Sequence, residues 1–200
     1  SVQDAAGGCD GVKNGKLGFH TASKETEPWW QVDLGKLVEL DRVVVFNRTD
    51  GNNAPRTSNI RVLVATGTGG DESLRPSDRW TFTEIYAHDG QPFFGVNENA
   101  PLVVDLRGKN ITARVVRLQV PGQCSFALDE VEVYGKDAPD TNIALHRPAD
   151  QKSVSPYSVA EIEAAPQEQM PSEIAGADRF SLDHSAKVLE RTGQLAARLL

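Results

Sequence analysis

Residues 28–50 constrain the fold more than any other stretch of the chain. Trp30, Val32 and Leu34 alternate with Gln31 and Asp33, the two-residue period of a strand with one buried face. Gly35 and Lys36 interrupt the alternation, and 40–46 then reads as a second, almost wholly apolar strand. Trp29 and Trp30 stand side by side at the start of the first strand, and Arg48 and Asp50 stand just past the end of the second. A rigid β-scaffold ending in polar, planar side chains suits binding better than chemistry.

Five further segments have strand character: 59–65, 81–86, 102–106, 113–120 and 127–134. Turn residues separate them, among them Thr66-Gly67-Thr68-Gly69-Gly70, Asp89-Gly90, Arg107-Gly108-Lys109-Asn110 and Pro121-Gly122. Short strands joined by Gly- and Pro-rich turns, with no helix between them, predict an all-β antiparallel sandwich or barrel. The pattern closes at Tyr134-Gly135, which gives a first domain over 1–136. The stretch 137–180 is rich in Pro, Ala, Ser and acidic residues and reads as a weakly packed linker. From Ser181, a candidate N-cap, Leu182, Ala186, Leu189, Ala196 and Leu200 recur at helical spacing. An amphipathic helix is expected over 181–200; its uncapped apolar end reads as one that continues into downstream domains of a longer chain.

Composition narrows the partners. The net charge of -7 disfavours nucleic acid and anionic lipid. No apolar run approaches the roughly 20 residues of a membrane span, and Ser1 does not open a signal peptide. Cys9 and Cys124 leave two alternatives, one disulfide across a domain or two separate thiols. Neither has Cys-x-x-Cys or zinc-finger spacing.

Several motifs in order carry a family resemblance. They are Asp10-Gly11, Pro28-Trp29-Trp30-Gln31-Val32-Asp33-Leu34-Gly35 and Val43-Val44-Val45-Phe46-Asn47-Arg48, followed by Ala113-Arg114-Val115-Val116-Arg117-Leu118 and Leu128-Asp129-Glu130-Val131-Glu132-Val133-Tyr134-Gly135. Over residues 1–135 the chain resembles the discoidin, or coagulation-factor C-type, domain, whose fold includes family 32 carbohydrate-binding modules and the fucose-binding F-type lectins. The resemblance implies an eight-stranded jelly-roll β-sandwich of galactose-binding type, with the ligand site in loops at one end. Asn142-Ile143-Ala144-Leu145-His146-Arg147-Pro148-Ala149 looks like the opening of another such domain. It is either a remnant or a strand that packs back on the first domain.

The F-type lectins hold sugar with a histidine and two basic residues. Here His20 is followed after 27 residues by Arg48-Thr49-Asp50, and after five more by Arg56, each interval one residue longer than in that family. The implied roles follow the chemistry. Arg48 and Arg56 offer rigid forks of donors to ring hydroxyls, Asp50 orients Arg48, and His20 donates to an axial hydroxyl. Trp29, Phe93, Phe94 or Phe126 is expected to cover the sugar's apolar face, while Trp30 belongs to the core.

Calcium often pins the termini of such modules. Asp10 matches the family's first carboxylate ligand and Glu130 its last, with carbonyls near Gly7, Val12 and Asp129 completing an oxygen shell. A structural Ca2+ would fix the loop carrying His20.

No serine elbow, reactive cysteine or phosphate loop is present, and His88-Asp89-Gly90 reads as a hairpin turn. The expectation is therefore a non-catalytic, extracellular, periplasmic or cell-surface module that targets a larger protein to glycans, of fucose or galactose type. The alternatives are a structural or adhesion discoidin domain with a degenerate site in a multidomain protein, and a lipid binder. For the last, Phe93-Phe94 is the one apolar spike, and acidic Asp89 and Glu98 flank it.

Overall fold

One strand organises the molecule. In the computed structural model, which describes residues 2–67, 78–96, 100–156 and 158, Trp29–Phe46 is a single strand of 18 residues. The break expected at Gly35-Lys36 is a bulge instead. Gly35 takes a φ of 81°, its N–H donates to the Asp33 carboxylate at 2.8 Å, and the pairing register shifts between Asp33 and Val38. Residues 34–37 stand there against Arg114 alone on the facing strand, and extra residues on one strand bend it without ending it.

After a short helix α1 (Val2–Ala5), the strands are β1 (Phe19–His20), β2 (Glu25–Thr26), β3 (Trp29–Phe46), β4 (Arg61–Ala65), β5 (Thr83–Ala87), β6 (Leu102–Asp105), β7 (Thr112–Gln119), β8 (Gln123–Cys124), β9 (Ala127–Leu128), β10 (Glu130–Gly135), β11 (Ala138–Asn142) and β12 (Ala149–Gln151). The first half of β3 pairs with β7, with Trp30 opposite Leu118 and Val32 opposite Val116. Its second half lies between β10 and β6, with Val43 opposite Val133 and Val104. One layer is therefore β12-β3-β7-β4-β5 and the other β6-β3-β10-β11. Counting the shared strand once, the antiparallel sandwich has eight strands. The apolar faces meet in a core that includes Trp30, Val32, Val43, Val45, Val116, Leu118, Val131 and Val133.

Trp30 is fully buried. Its ring stacks on Phe19 at 5.6 Å, Phe126 meets Phe19 edge-on at 5.2 Å, and its Nε1–H donates to the Ala5 carbonyl at 2.8 Å. Cys9 and Cys124 are separate buried thiols, so the bridge is the alternative that is overturned. Cys9 Sγ faces the Arg147 carbonyl at 3.6 Å and Cys124 Sγ that of Arg56 at 3.2 Å. Burial pushes the thiols up to about 12 and about 11 respectively.

The domain does not close at Gly135. β11 pairs with β10, and β12 pairs with β3, Gln151 lying opposite Trp30. Ala144, Gln151, Ser155 and Ser158 are all fully buried. The first compact unit runs over Ser1–Ile162, which corrects both the 1–136 boundary and the linker reading of 137–158. The segment that looks like a domain opening packs back on this domain. Its polar composition misleads because the polar groups are bonded internally: Asn142 Oδ1 accepts from Val133 N at 3.1 Å and Ala144 N at 3.0 Å. The rest of the expected linker and the 181–200 helix lie outside the described residues. Among the described residues no helix is long and apolar enough to cross a membrane.

Candidate functional site

β3 delivers Asn47 and Arg48 past its last paired residue. Asn47 is buried, and its Nδ2 donates to Thr57 Oγ1 at 2.9 Å and the Phe93 carbonyl at 3.0 Å. Its Oδ1 accepts from Arg48 N at 3.0 Å. One amide thus ties the strand end to the 3-10 turn Ala54–Thr57, which carries Arg56, and to the loop before β6. Arg48 Nε and Nη2 donate to the two Asp50 carboxylate oxygens at 2.8 and 2.7 Å. This paired fork fixes the guanidinium plane. Nη1 has no hydrogen-bond acceptor among the described residues. Arg56 is exposed and borders a surface cavity of about 430 Å³ with Ser58, Gln123 and Ser125.

His20 sits at the end of β1 with only 6% of its surface exposed. Its Nδ1 lies 2.5 Å from the Thr21 carbonyl. A carbonyl only accepts, so the neutral ring carries its proton on Nδ1 and leaves Nε2 as an acceptor. Burial pushes the imidazole below its ordinary value; the Thr21 bond opposes this, while the charges of Arg48 and Arg56 add to it and that of Asp4 opposes it. The charges of both guanidiniums thus act on the ring, and the backbone links the loops that carry them: Thr49 N and Asp50 N donate to the Gly15 carbonyl in the segment before β1, and Cys124 Sγ faces the Arg56 carbonyl. In this tautomer Nε2 presents an acceptor, where the sequence led to the expectation of a donor. A hydroxyl that donates to Nε2 while accepting from a guanidinium suits such a pair.

A pH prediction follows. The folded His20 value is lowered, so Nε2 gains a proton only below the ordinary 6.5 or so. Sugar affinity is expected to hold from neutral pH upward and to fall as pH drops through that lowered value. Stability moves the same way, because the unfolded chain takes up this proton first. Titration calorimetry at pH 7.5 and pH 5, with His20→Gln as the insensitive control, checks it; equal affinities in the native chain would refute the acceptor role.

The expected aromatic platform is corrected at three of its four positions. Phe126 is fully buried and Phe93 nearly so, packed edge-on against His88 at 5.5 Å. Trp29 is buried beneath the Arg117 guanidinium, 4.2 Å from its ring centroid, with Phe82 3.8 Å from the same guanidinium. Phe94 remains 38% exposed, and its carbonyl accepts from Asn47 N at 3.1 Å, which ties its backbone to the end of β3. With Phe93 inside, the Phe93-Phe94 lipid spike is not formed.

The residues matched to calcium also come together. Glu130 is fully buried; its Oε1 accepts from Gly11 N at 3.1 Å and its Oε2 has no partner. Burial, with the charges of Asp10 and Glu132, pushes its carboxyl up to about 8. Asp10 Oδ1 accepts from Val12 N at 2.8 Å, and Asp129 Oδ2 accepts from Gly15 N at 2.9 Å. Backbones converge here too: a Cβ on Gly18 would lie 2.3 Å from the Gly7 carbonyl oxygen and 2.2 Å from that of Asp129. A cavity of about 370 Å³ is lined by Gly7, Asp10, Val12, Gly18 and Asp129. Among the described residues no three His, Cys, Asp or Glu side chains form a metal cluster, so a cation here would depend on two carboxylates plus carbonyls. Hard oxygen donors and an unpartnered buried carboxylate oxygen fit calcium chemistry.

The family model described as the NedA-like, galactose-binding domain of F5/F8 type C matches residues 9–118. The chain belongs to that family. No curated protein matches the sequence. Among solved structures, this F5/F8 type C domain is similar to the lectin domain of lectinolysin complexed with Lewis B antigen, at 31% identity over 57% of this chain and 69% of that one, with a TM-score of 0.39. It is similar to a fucose-binding module of Streptococcus pneumoniae at 29% identity, over 65% of this chain and 83% of the module, with a TM-score of 0.44. A serum fucolectin from striped bass, Morone saxatilis, is 23% identical over 66% of this chain and 41% of its own, with a TM-score of 0.50. In this F5/F8 type C domain, sequence reasoning passed over Asp4 and Gln151, which bond the backbone of His20, and Ser153, which accepts from Ala22 N. The only signal toward Gln151 and Ser153 was the domain-opening motif that ends at Ala149.

Proposed function

We propose that this domain binds a terminal monosaccharide of a glycan, of fucose or galactose type, through His20, Arg48 and Arg56, with Asp50 holding Arg48. The observation that supports the reading is a nearly buried imidazole, its Nδ1 held to the Thr21 carbonyl, on which the charges of Arg48 and Arg56 both act. Acceptor and donors together match hydroxyls, which both donate and accept. Phe94 supplies the apolar face. Asp10, Glu130 and the carbonyls of Gly7, Val12 and Asp129 hold a structural calcium ion, which fixes the loop leading to β1 and lowers the ordering cost of binding. The role is recognition without catalysis, in an extracellular or surface protein of which this domain is the glycan-targeting part.

Calorimetric titration with L-fucose and D-galactose tests the proposal. Millimolar to micromolar binding is expected, about 4–8 kcal/mol. Arg48→Ala and Arg56→Ala should each weaken it by about tenfold or more, since a charged hydrogen bond contributes about 1.5–3 kcal/mol. Binding unchanged in both variants would remove the site, and no binding of either sugar would favour the degenerate structural domain.

A further inference from the structure

We propose that Gln151 is a positioning residue of the sugar site, holding His20 in register from the strand that closes the domain. The inference rests on the binding role assigned above to His20. The His20 peptide is held from both sides. Its N–H donates to Asp4 Oδ2 at 3.1 Å. Its carbonyl accepts from Ser155 N at 2.9 Å, Gln151 Nε2 at 3.1 Å and Ser158 Oγ at 3.3 Å. Gln151 Nε2 also lies 2.8 Å from Asp4 Oδ2 and 2.6 Å from the Ser153 carbonyl, so its two N–H groups are shared among three acceptors. Ser153 Oγ in turn accepts from Ala22 N at 3.0 Å. Residues from the first turn and from 151–158 thus bracket the loop 20–22.

Stability alone does not call for an amide at this place. Gln151 is fully buried on β12 opposite Trp30, and its Oε1 has no partner. Burying an unpaired polar atom costs free energy that an apolar side chain would not. What the amide achieves is a cross-tie from β12 to the His20 carbonyl, the Asp4 carboxylate and the Ser153 carbonyl, around the peptide of the residue on whose ring the charges of Arg48 and Arg56 act. With the peptide clamped and Nδ1 held to the Thr21 carbonyl, Nε2 has one direction left. Recognition groups lose affinity when their supporting shell is loose.

The test uses the full chain with Gln151→Leu, of similar volume and without the donor. Affinity for L-fucose and D-galactose is measured by calorimetry. The His20 ring is followed by NMR, assigned among the four histidines by its absence in His20→Gln. The charged groups that act on the ring are Arg48, Arg56 and Asp4, and all are retained. Affinity should fall by up to about tenfold, the worth of one hydrogen bond, and the His20 midpoint should move up toward about 6.5, with the circular dichroism of the sandwich retained. Ser153→Ala, which removes the Ala22 acceptor and the hydroxyl bonded to the Glu25 carboxylate, should lower affinity by about threefold. A folded Gln151→Leu with native affinity and an unmoved His20 midpoint overturns the proposal. If that variant does not fold, Ser153→Ala decides, and native values in both readouts overturn it equally. Should the native chain bind neither sugar, the binding role falls while the His20 midpoint still judges the clamp.

Discussion

Trp30→Ala should lower the unfolding free energy by about 3–5 kcal/mol, the cost typical of emptying a large aromatic site. The loss has three parts. The indole leaves a cavity between the layers, the stack on Phe19 disappears, and the Ala5 carbonyl loses the Nε1–H donor. Collapse cannot fill the space cheaply. Gly8 already lies so close that a Cβ there would sit 2.7 Å from the indole nitrogen, so the N-terminal turn is shaped around this ring. Trp30→Phe should cost about 1–2 kcal/mol, because the ring contact survives and the hydrogen bond does not. Urea titration of the three proteins gives the comparison, and a loss below about 1 kcal/mol in the alanine variant would place the residue outside the core.

Calcium should produce the other large effect. At a hundredfold excess over its Kd, a ligand that binds only the folded state stabilises by about 2.7 kcal/mol. For a domain of this size that is roughly 5–11 °C in Tm. The sign with pH follows from Glu130. Its folded value is raised to about 8, so its contribution to metal-free stability is full below the ordinary carboxyl value and is lost as pH rises through 8. A cation takes the place of that proton, and the calcium shift should be larger at pH 8.5 than at pH 6. Glu130→Gln should remove most of the shift while leaving the metal-free protein folded, and Asp10→Asn should reduce it. Identical melting curves with calcium and with chelator, at both pH values, would eliminate the ion.

Much of the sandwich was legible because strand period and valine runs are local signals. Trp30, Val32 and Leu34 point inward together, and Val43 and Val45 do the same beyond the bulge. Gly35 was less legible, since turns and bulges both use a glycine at positive φ. The 137–158 segment was misread because composition reports polarity and not whether the polar atoms are bonded. Motif spacing singled out His20, Arg48, Asp50 and Arg56, but it carries no information on chemical state. Which nitrogen of His20 carries the proton depends on Thr21 folding its carbonyl toward the ring. Nor can spacing tell that Phe126 packs inside while Phe94 stays at the surface. Asp4 and Gln151, 147 residues apart in sequence, meet only in the folded chain.

The two unlinked thiols carry a consequence for handling and evolution. No covalent cross-link contributes to this sandwich, so its native state should be indifferent to glutathione or dithiothreitol, and oxidants will find both sulfurs protonated and shielded. Folding therefore requires neither an oxidising compartment nor a disulfide isomerase.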